Sequence, residues 1–364
     1  MTTTITPQQL AEMLSYQLTA IADHAQATAL PPLMIWGAPG VGKSSVVAQV
    51  CAQHGVGLID VRLAQREPVD MRGLPVPDGD TVRWLPSAEW PRDPDSRGII
   101  LFDELTAADR SLQVAAYEFI LDRRLGDLYR VPDGWVVVAA GNRVEDHAVS
   151  APLSSALANR FAHVELDPTV EDWASWAVAA QVEPVLIAFV RFRPDLLLDQ
   201  HGDLSRGWPS PRSWARVGRI MADRDRLSPV VQQALISGLV GEAAAAELNA
   251  FLDWAGDAPD IHDLLRSQGR LALPKRADQR HALCAAAVHH LPHMPDRLQV
   301  LGRFIALACA LPADLAAMMM ADALRVFPAD LVTAMMAHRQ WQRWQEGHGR
   351  HLQEGSHERC IVVA

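Results

Sequence analysis

The octapeptide Gly37-Ala38-Pro39-Gly40-Val41-Gly42-Lys43-Ser44 constrains the fold of this chain more than any other stretch. It matches the pattern GxxxxGK[ST] in the setting that pattern requires. The apolar run 33-LMIW-36 precedes it, and 44-SSVVAQVCAQHG-55, helical in period and ending at a glycine, follows it. The glycines let backbone N–H groups turn inward around a phosphate, and the helix N-terminus adds its partial positive charge. Lys43 is expected to reach the β and γ oxygens of a nucleotide, with Ser44 placed to ligate Mg²⁺ and Ser45 next in the first helical turn. Gly37 to Ser45 is therefore read as a nucleotide-binding segment. A strand feeding such a loop and then a helix predicts a parallel α/β sheet covered on both faces.

Binding alone does not hydrolyse; a metal-holding acid and a group that orients water are also needed. In 98-GIILFDEL-105 four apolar residues run into two carboxylates, which reads as a central parallel strand whose C-terminal end meets the loop. Asp103 is the candidate magnesium acid and Glu104 the candidate for polarising the attacking water; the alternative is that both merely cap the next helix. A third apolar run, 134-GWVVVAAGN-142, ends in Asn142, an amide placed to bond the water or the γ-phosphate. The segment 152-PLSSALANRFAHVEL-166 predicts a helix delivering Arg160, then a last strand. Arg160 is either a surface ion pair or a finger reaching the nucleotide of a neighbouring subunit.

Taken together and in this order, GAPGVGKS, ILFDEL, AAGN and LANRF resemble the ATPase core of the AAA+ superfamily. More narrowly they resemble the MoxR-type ATPases, a group that includes the CbbQ and gas-vesicle GvpN branches. Two further stretches agree. The segment 69-VDMRGLP-75 is similar to the region after the second strand, where that group carries an insert. The segment 208-WPSPRSWARV-217 is similar to its SPR motif, which maps the sensor-2 arginine onto Arg212. Arg212 is otherwise solvated surface at a helix start, or serves a neighbouring subunit's nucleotide. Arg123 and Arg124 stand at a helix end, and the sequence leaves open whether one of them faces that site. The resemblance covers roughly residues 10–225. It implies a homo-oligomer, by default a hexameric ring, that uses ATP and Mg²⁺ to remodel a protein client. The implied client is a partner carrying a von Willebrand factor A domain.

The expected fold is a P-loop AAA+ core, a parallel five-stranded sheet between helices, followed by a helical lid and an additional α-helical C-terminal region. The core spans 1–167, with an insert at about 64–97 that carries six prolines and the paired Trp84 and Trp90, a candidate contact surface unless one of them belongs to the core. The lid spans 168–225, with Trp173 and Trp176 on one helical face as part of its core. Residues 226–364 form the extra region and end in a flexible tail. Met318, Met319 and Met320 there mark either an adaptable surface or simply buried helix. The N-terminal stretch predicts an amphipathic helix capped near Thr6, before Pro7.

Charge and cysteines narrow the partners. With 43 acidic against 33 basic residues, the net charge of −10 opposes nonspecific binding to nucleic acid, so an AAA+ motor or loader on DNA or RNA is the alternative reading rather than the first. Cys51, Cys284, Cys309 and Cys360 are far apart and form no CxxC, which predicts buried free thiols. The histidine groups at 289–293 and 348–357 lack acidic or cysteine partners at metal-site spacing. No signal peptide and no membrane-spanning run is present, so a cytoplasmic protein is expected.

Overall fold

The computed structural model describes residues 3–24, 30–146, 151–201, 203–256, 260–267, 269, 271 and 273–356. The chain divides into two compact units, residues 1–169 and 170–364. In the first unit, β1 (Thr3–Ile5) leads into α1 (Pro7–His24), and β2 (Leu33–Trp36) into α2 (Lys43–His54) and β3 (Gly57–Arg62). Then come α3 (Pro68–Arg72), β4 (Leu74–Asp78), β5 (Thr81–Leu85), β6 (Gly98–Asp103) and α4 (Arg110–Asp122). The unit closes with β7 (Arg124–Leu125), β8 (Tyr129–Arg130), β9 (Trp135–Gly141), α5 (Ser155–Ala158) and β10 (Ala162–Leu166).

The main sheet is wholly parallel, in the order β1-β10-β2-β9-β6-β3. Its middle strands carry the longest apolar runs, and every residue of β9 is buried, as strands covered on both faces require. The order sets β9 between the loop-bearing β2 and the acid-bearing β6. Trp36 lies against Gly141 and Phe102 against Ala139, so the C-terminal ends of all three strands finish side by side.

The fold class is the one expected, with a sheet one strand wider. β1 pairs with β10 from Thr3↔Val164 to Ile5↔Leu166. Three residues carry almost no periodic signal, and this strand owes its existence to a partner some 160 positions on. The helix after it starts as predicted: Gln9 N donates to Thr6 Oγ1 (3.3 Å) and Thr6 N to Gln9 Oε1 (3.0 Å), a reciprocal cap.

Within the insert, β4 and β5 form an isolated antiparallel hairpin. Its two tryptophans part company. Trp90 is 1% exposed and packs on Phe119 and Phe102, with ring centroids 4.4 and 6.5 Å away, whereas Trp84 lies on the exposed hairpin.

The second unit is all helix among its described residues: α6 (Val170–Ala179), α7 (Pro184–Phe192), α8 (Pro211–Ala222), α9 (Pro229–Val240), α10 (Glu242–Gly256) and α11 (Ile261–Arg266). It continues with α12 (Ala277–His290), α13 (Arg297–Ala310), α14 (Ala313–Val326), α15 (Ala329–Ala337) and α16 (Arg339–Ser356). One apolar core gathers Trp173, Phe189, Trp214 and Phe251; a second gathers Phe304, Met319, Met320 and Trp344, and α12 gives residues to both. Arg191 of α7 holds Asp322 of α14 in a two-pronged bond of 2.6 and 3.1 Å, both side chains buried. Met319 and Met320 are buried helix, and Trp176, unlike Trp173, is partly exposed. The tail, with His357 and Cys360, falls on 357–364, outside the described residues. Cys51, Cys284 and Cys309 are free, the first two buried. No described helix is long and apolar enough to cross a membrane.

Candidate functional site

At the C-terminal end of β2 the loop turns on Gly37, Gly40 and Gly42, whose φ angles of +156°, +83° and +105° suit glycine. A Cβ at Gly37 would sit 2.8 Å from the Leu166 carbonyl oxygen. α2 starts at Lys43, which is buried. Its ammonium donates to the carbonyls of Gly37 (2.6 Å) and Ala38 (3.0 Å) and to Asn142 Oδ1 (2.9 Å). Ser44 Oγ donates to Asp103 Oδ2 at 2.5 Å. A hydroxyl and a carboxylate this close, on neighbouring structural elements, are the donor set of a hard, oxygen-loving cation such as Mg²⁺, and so these residues fit the ion.

Asp103 ends β6, and Glu104 leaves the strand at once in a left-handed conformation, φ +57° and ψ +31°. For a non-glycine residue this costs on the order of 1–2 kcal/mol. It is stabilised by the Glu104 N–H donating to Asp103 Oδ1 at 2.9 Å. Glu104 is the N-cap of the short 3₁₀ turn Leu105–Ala107 but makes no side-chain capping bond, and Asp103 accepts from Ser44. Asn142 sits at the tip of β9 between Lys43 and this pair.

Sequence reasoning passed over Thr106. It is fully buried, its Oγ1 accepts from Asn142 N (3.2 Å), and it donates to Asn142 O (3.4 Å), so it fixes the backbone that presents the amide. Gly141 makes this fit possible, since a Cβ there would lie 2.7 Å from Thr106 Cγ2 and 2.8 Å from Met34 Cε. The only hint in the sequence is that a threonine follows the acid pair by two positions. Arg143, next along, grips Asp146 and Glu165. Its hydrogen bonds to the Asp146 carboxylate lead, against burial, in raising its basicity above the ordinary arginine value.

Arg160 is placed elsewhere. α5 is a single turn capped by Ser154, and exposed Arg160 follows it at the start of β10. Since Ala162 lies beside Leu33 and Glu165 beside Trp36, Arg160 stands at the opposite end of the sheet from its own loop. A cavity of about 340 Å³ opens there, lined by Arg160, Asp122, Arg123, Pro32 and Ile21 among others. The two arginines left open by the sequence separate: Arg123 is buried, donating to the carbonyls of Trp135 (2.7 Å) and Pro132 (2.8 Å). Burial lowers its basicity below the usual value. Arg124 is exposed beside Glu118. Arg212 is the exposed second residue of α8, in the second unit.

One connection runs between the two ends of the sheet. Trp36 Nε1 donates to His163 Nδ1 (2.9 Å), which leaves His163 Nε2 to donate to the carbonyl of Ala158 (2.7 Å). The rings stack at 6.0 Å. Trp36 adjoins the loop, and Ala158 adjoins Arg160.

No known protein-family profile matches the chain. Among solved structures, a mutant RuvB of Thermotoga maritima is similar at 14% identity and a TM-score of 0.38, covering 90% of this chain and 86% of that one. A protein of Cytophaga hutchinsonii taken to be an ATPase is similar at 15% and 0.30, over 97% and 90%. NtrX of Brucella abortus, in complex with ADP, is similar at 16% and 0.30, over 93% and 68%. At such scores the weight rests on the chain's own residues.

Proposed function

We propose that the chain is a MoxR-type AAA+ ATPase that hydrolyses ATP at the interfaces of an oligomeric ring and uses the cycle to remodel a protein partner. The observation that carries this reading is the convergence of Lys43, Ser44, Asp103 and Asn142 through direct hydrogen bonds at three adjacent strand ends. Gly37 to Ser45 bind the phosphates, and Lys43 neutralises the β and γ oxygens. Ser44 and Asp103 would hold Mg²⁺, which supplies charge neutralisation on the transferring phosphoryl group. Glu104 takes the proton of the attacking water, and Asn142, fixed by Thr106, orients that water or the γ-phosphate.

Arg160 lies at the far end of the sheet, which favours action on a neighbouring copy's nucleotide. Arg212 would report the nucleotide from residues 168–225 acting as a lid, with 226–364 as an added helical region. A hexameric ring, a cytoplasmic setting and a partner with a von Willebrand factor A domain belong to the same reading. No specific observation favours nucleic acid.

The test is Glu104→Gln. The variant should bind ATP as the wild type does and release phosphate at least about a hundredfold more slowly, as losing a general base predicts. Unchanged hydrolysis would remove Glu104 from its role. A purified von Willebrand factor A protein should raise turnover where duplex DNA does not; stimulation by DNA alone would overturn the choice of client.

A further inference from the structure

We propose that the outer edge of β5 takes up an extended segment of the protein client as a third strand. The idea rests on the reading above for the identity of the partner as a protein; the site itself rests on the hairpin. β4 and β5 pair from Leu74↔Leu85 to Asp78↔Thr81, closed by the two-residue turn Gly79–Asp80. Gly79 has φ +60°, the position a tight hairpin turn gives to glycine.

In such a hairpin the residues flanking the turn are a hydrogen-bonded pair, and bonded and non-bonded pairs then alternate. The pairs Pro77↔Val82 and Pro75↔Trp84 are therefore non-bonded, and their backbone groups point outward. On β4 those outward positions are both proline, so that edge presents no N–H to a further strand. On β5 they are Val82 and Trp84, which keep both donor and acceptor. All five residues of β5 are exposed, and β5 has no strand partner but β4 among the described residues. The hairpin thus has one sealed edge and one open edge, and an open edge is what strand addition uses.

Side chains define the occupant. Cross-strand partners share a face, so Pro75, Pro77, Val82 and Trp84 form one apolar face, with Val82 57% and Trp84 39% exposed. The other face holds Leu74, Val76, Arg83 and Leu85, with Arg83 beside Asp78. A segment that continues this surface is extended, free of proline at its bonding positions, and apolar at every second residue. A second copy of β5 is a poorer fit. The register that matches Val82 with Trp84 of another copy sets Arg83 directly against the same arginine, and like charges in that position repel.

The experiment uses the full chain and a fluorescein-labelled peptide that alternates valine and threonine. Two backbone-methylated forms accompany it, one blocked at the residues that would face β5 and one at those that would face away. Fluorescence anisotropy should show binding of the parent and of the away-blocked form. The facing-blocked form should bind about tenfold more weakly or worse, as loss of two or more hydrogen bonds predicts. This comparison needs no altered protein. Val82→Pro, which removes one outward donor from β5, should weaken binding of the parent peptide as well, with circular dichroism confirming the fold.

Equal binding of both methylated forms, or no binding of any, overturns the proposal. So does a fall in oligomer mass with Val82→Pro, which would mean that the edge pairs copies of the chain. Phosphate release is read separately: peptide binding without hydrolysis would sink the ATPase reading alone, and hydrolysis without edge-specific binding would sink this one alone.

Discussion

Replacing Asp322 by alanine should destabilise the helical unit as a whole, and the pair it belongs to gives the size of the effect. The Arg191 side chain is 3% exposed and Asp322 5%. Burial works against the Arg191 cation, yet Asp322 and then Glu171 outweigh it and hold its basicity above the ordinary value. Removing one partner of such a pair leaves a buried charge uncompensated, at about 3–5 kcal/mol. Glu171, half exposed and 3.3 Å away, remains to soften the loss, so the lower end, about 3 kcal/mol, is expected. For a unit of this size that is a fall in Tm of about 6–12 °C.

Arg191→Met combined with Asp322→Leu, which removes both charges, should recover stability to within about 1 kcal/mol of the wild type. Urea unfolding followed by tryptophan fluorescence and by circular dichroism reads both variants. Trp214 reports from one core of the unit and Trp344 from the other, and the pair bridges the stretches on either side of residue 225. One shared transition, shifted by Asp322→Ala, is the expected result. A cost under about 1 kcal/mol, or a double variant no more stable than the single, refutes the reasoning.

Arg160→Ala and Lys43→Ala should each abolish turnover alone, while a mixture of the two recovers part of it, because an arginine acting across an interface completes a site on the other copy; a mixture as dead as its components would sink the trans assignment. Thr106→Val keeps the shape but removes the hydroxyl that seats Asn142, and should lower kcat roughly tenfold with little change in ATP affinity, measured by steady-state kinetics. Burial first, then neighbouring imidazoles, pulls His289 and His290 below the usual histidine range. Both bind protons more readily unfolded than folded, so their contribution is fully present above about pH 6.5 and is lost as pH falls from there through their folded values. Denaturation midpoints should decline over that window, and less steeply in His290→Asn. Burial pushes the Cys51 thiol up to about 11 and Cys284 up to about 12, so alkylation at neutral pH, mapped by mass spectrometry, should spare both until the chain unfolds.

The loop-bearing end of the sheet was legible because the residues of the candidate site follow local patterns. A loop, an acid pair and an amide each sit directly after an apolar run, and a parallel sheet aligns such ends without further instruction. What stayed hidden depends on partners far along the chain. β1 is three residues long and exists through β10. Arg191 and Asp322 are 131 positions apart, and neither carries a local mark. Arg123 was indistinguishable from Arg124 until the carbonyls of Pro132 and Trp135 claimed one of them. Trp84 and Trp90 had the same composition around them and opposite fates, since only the second meets Phe102 and Phe119. In the sequence the prolines of β4 marked only an insert, whereas they occupy the outward positions of an edge strand.

The link from Trp36 through His163 to Ala158 joins the two ends of the sheet through a single imidazole. An indole N–H can only donate, so His163 must keep Nδ1 bare and carry its hydrogen on Nε2. With that tautomer the imidazole accepts a hydrogen bond on the side of the loop and donates one to Ala158, two residues before Arg160. If Arg160 acts on a neighbouring copy as proposed, this imidazole is a side-chain link within each copy between its own loop and the end of the sheet that carries Arg160.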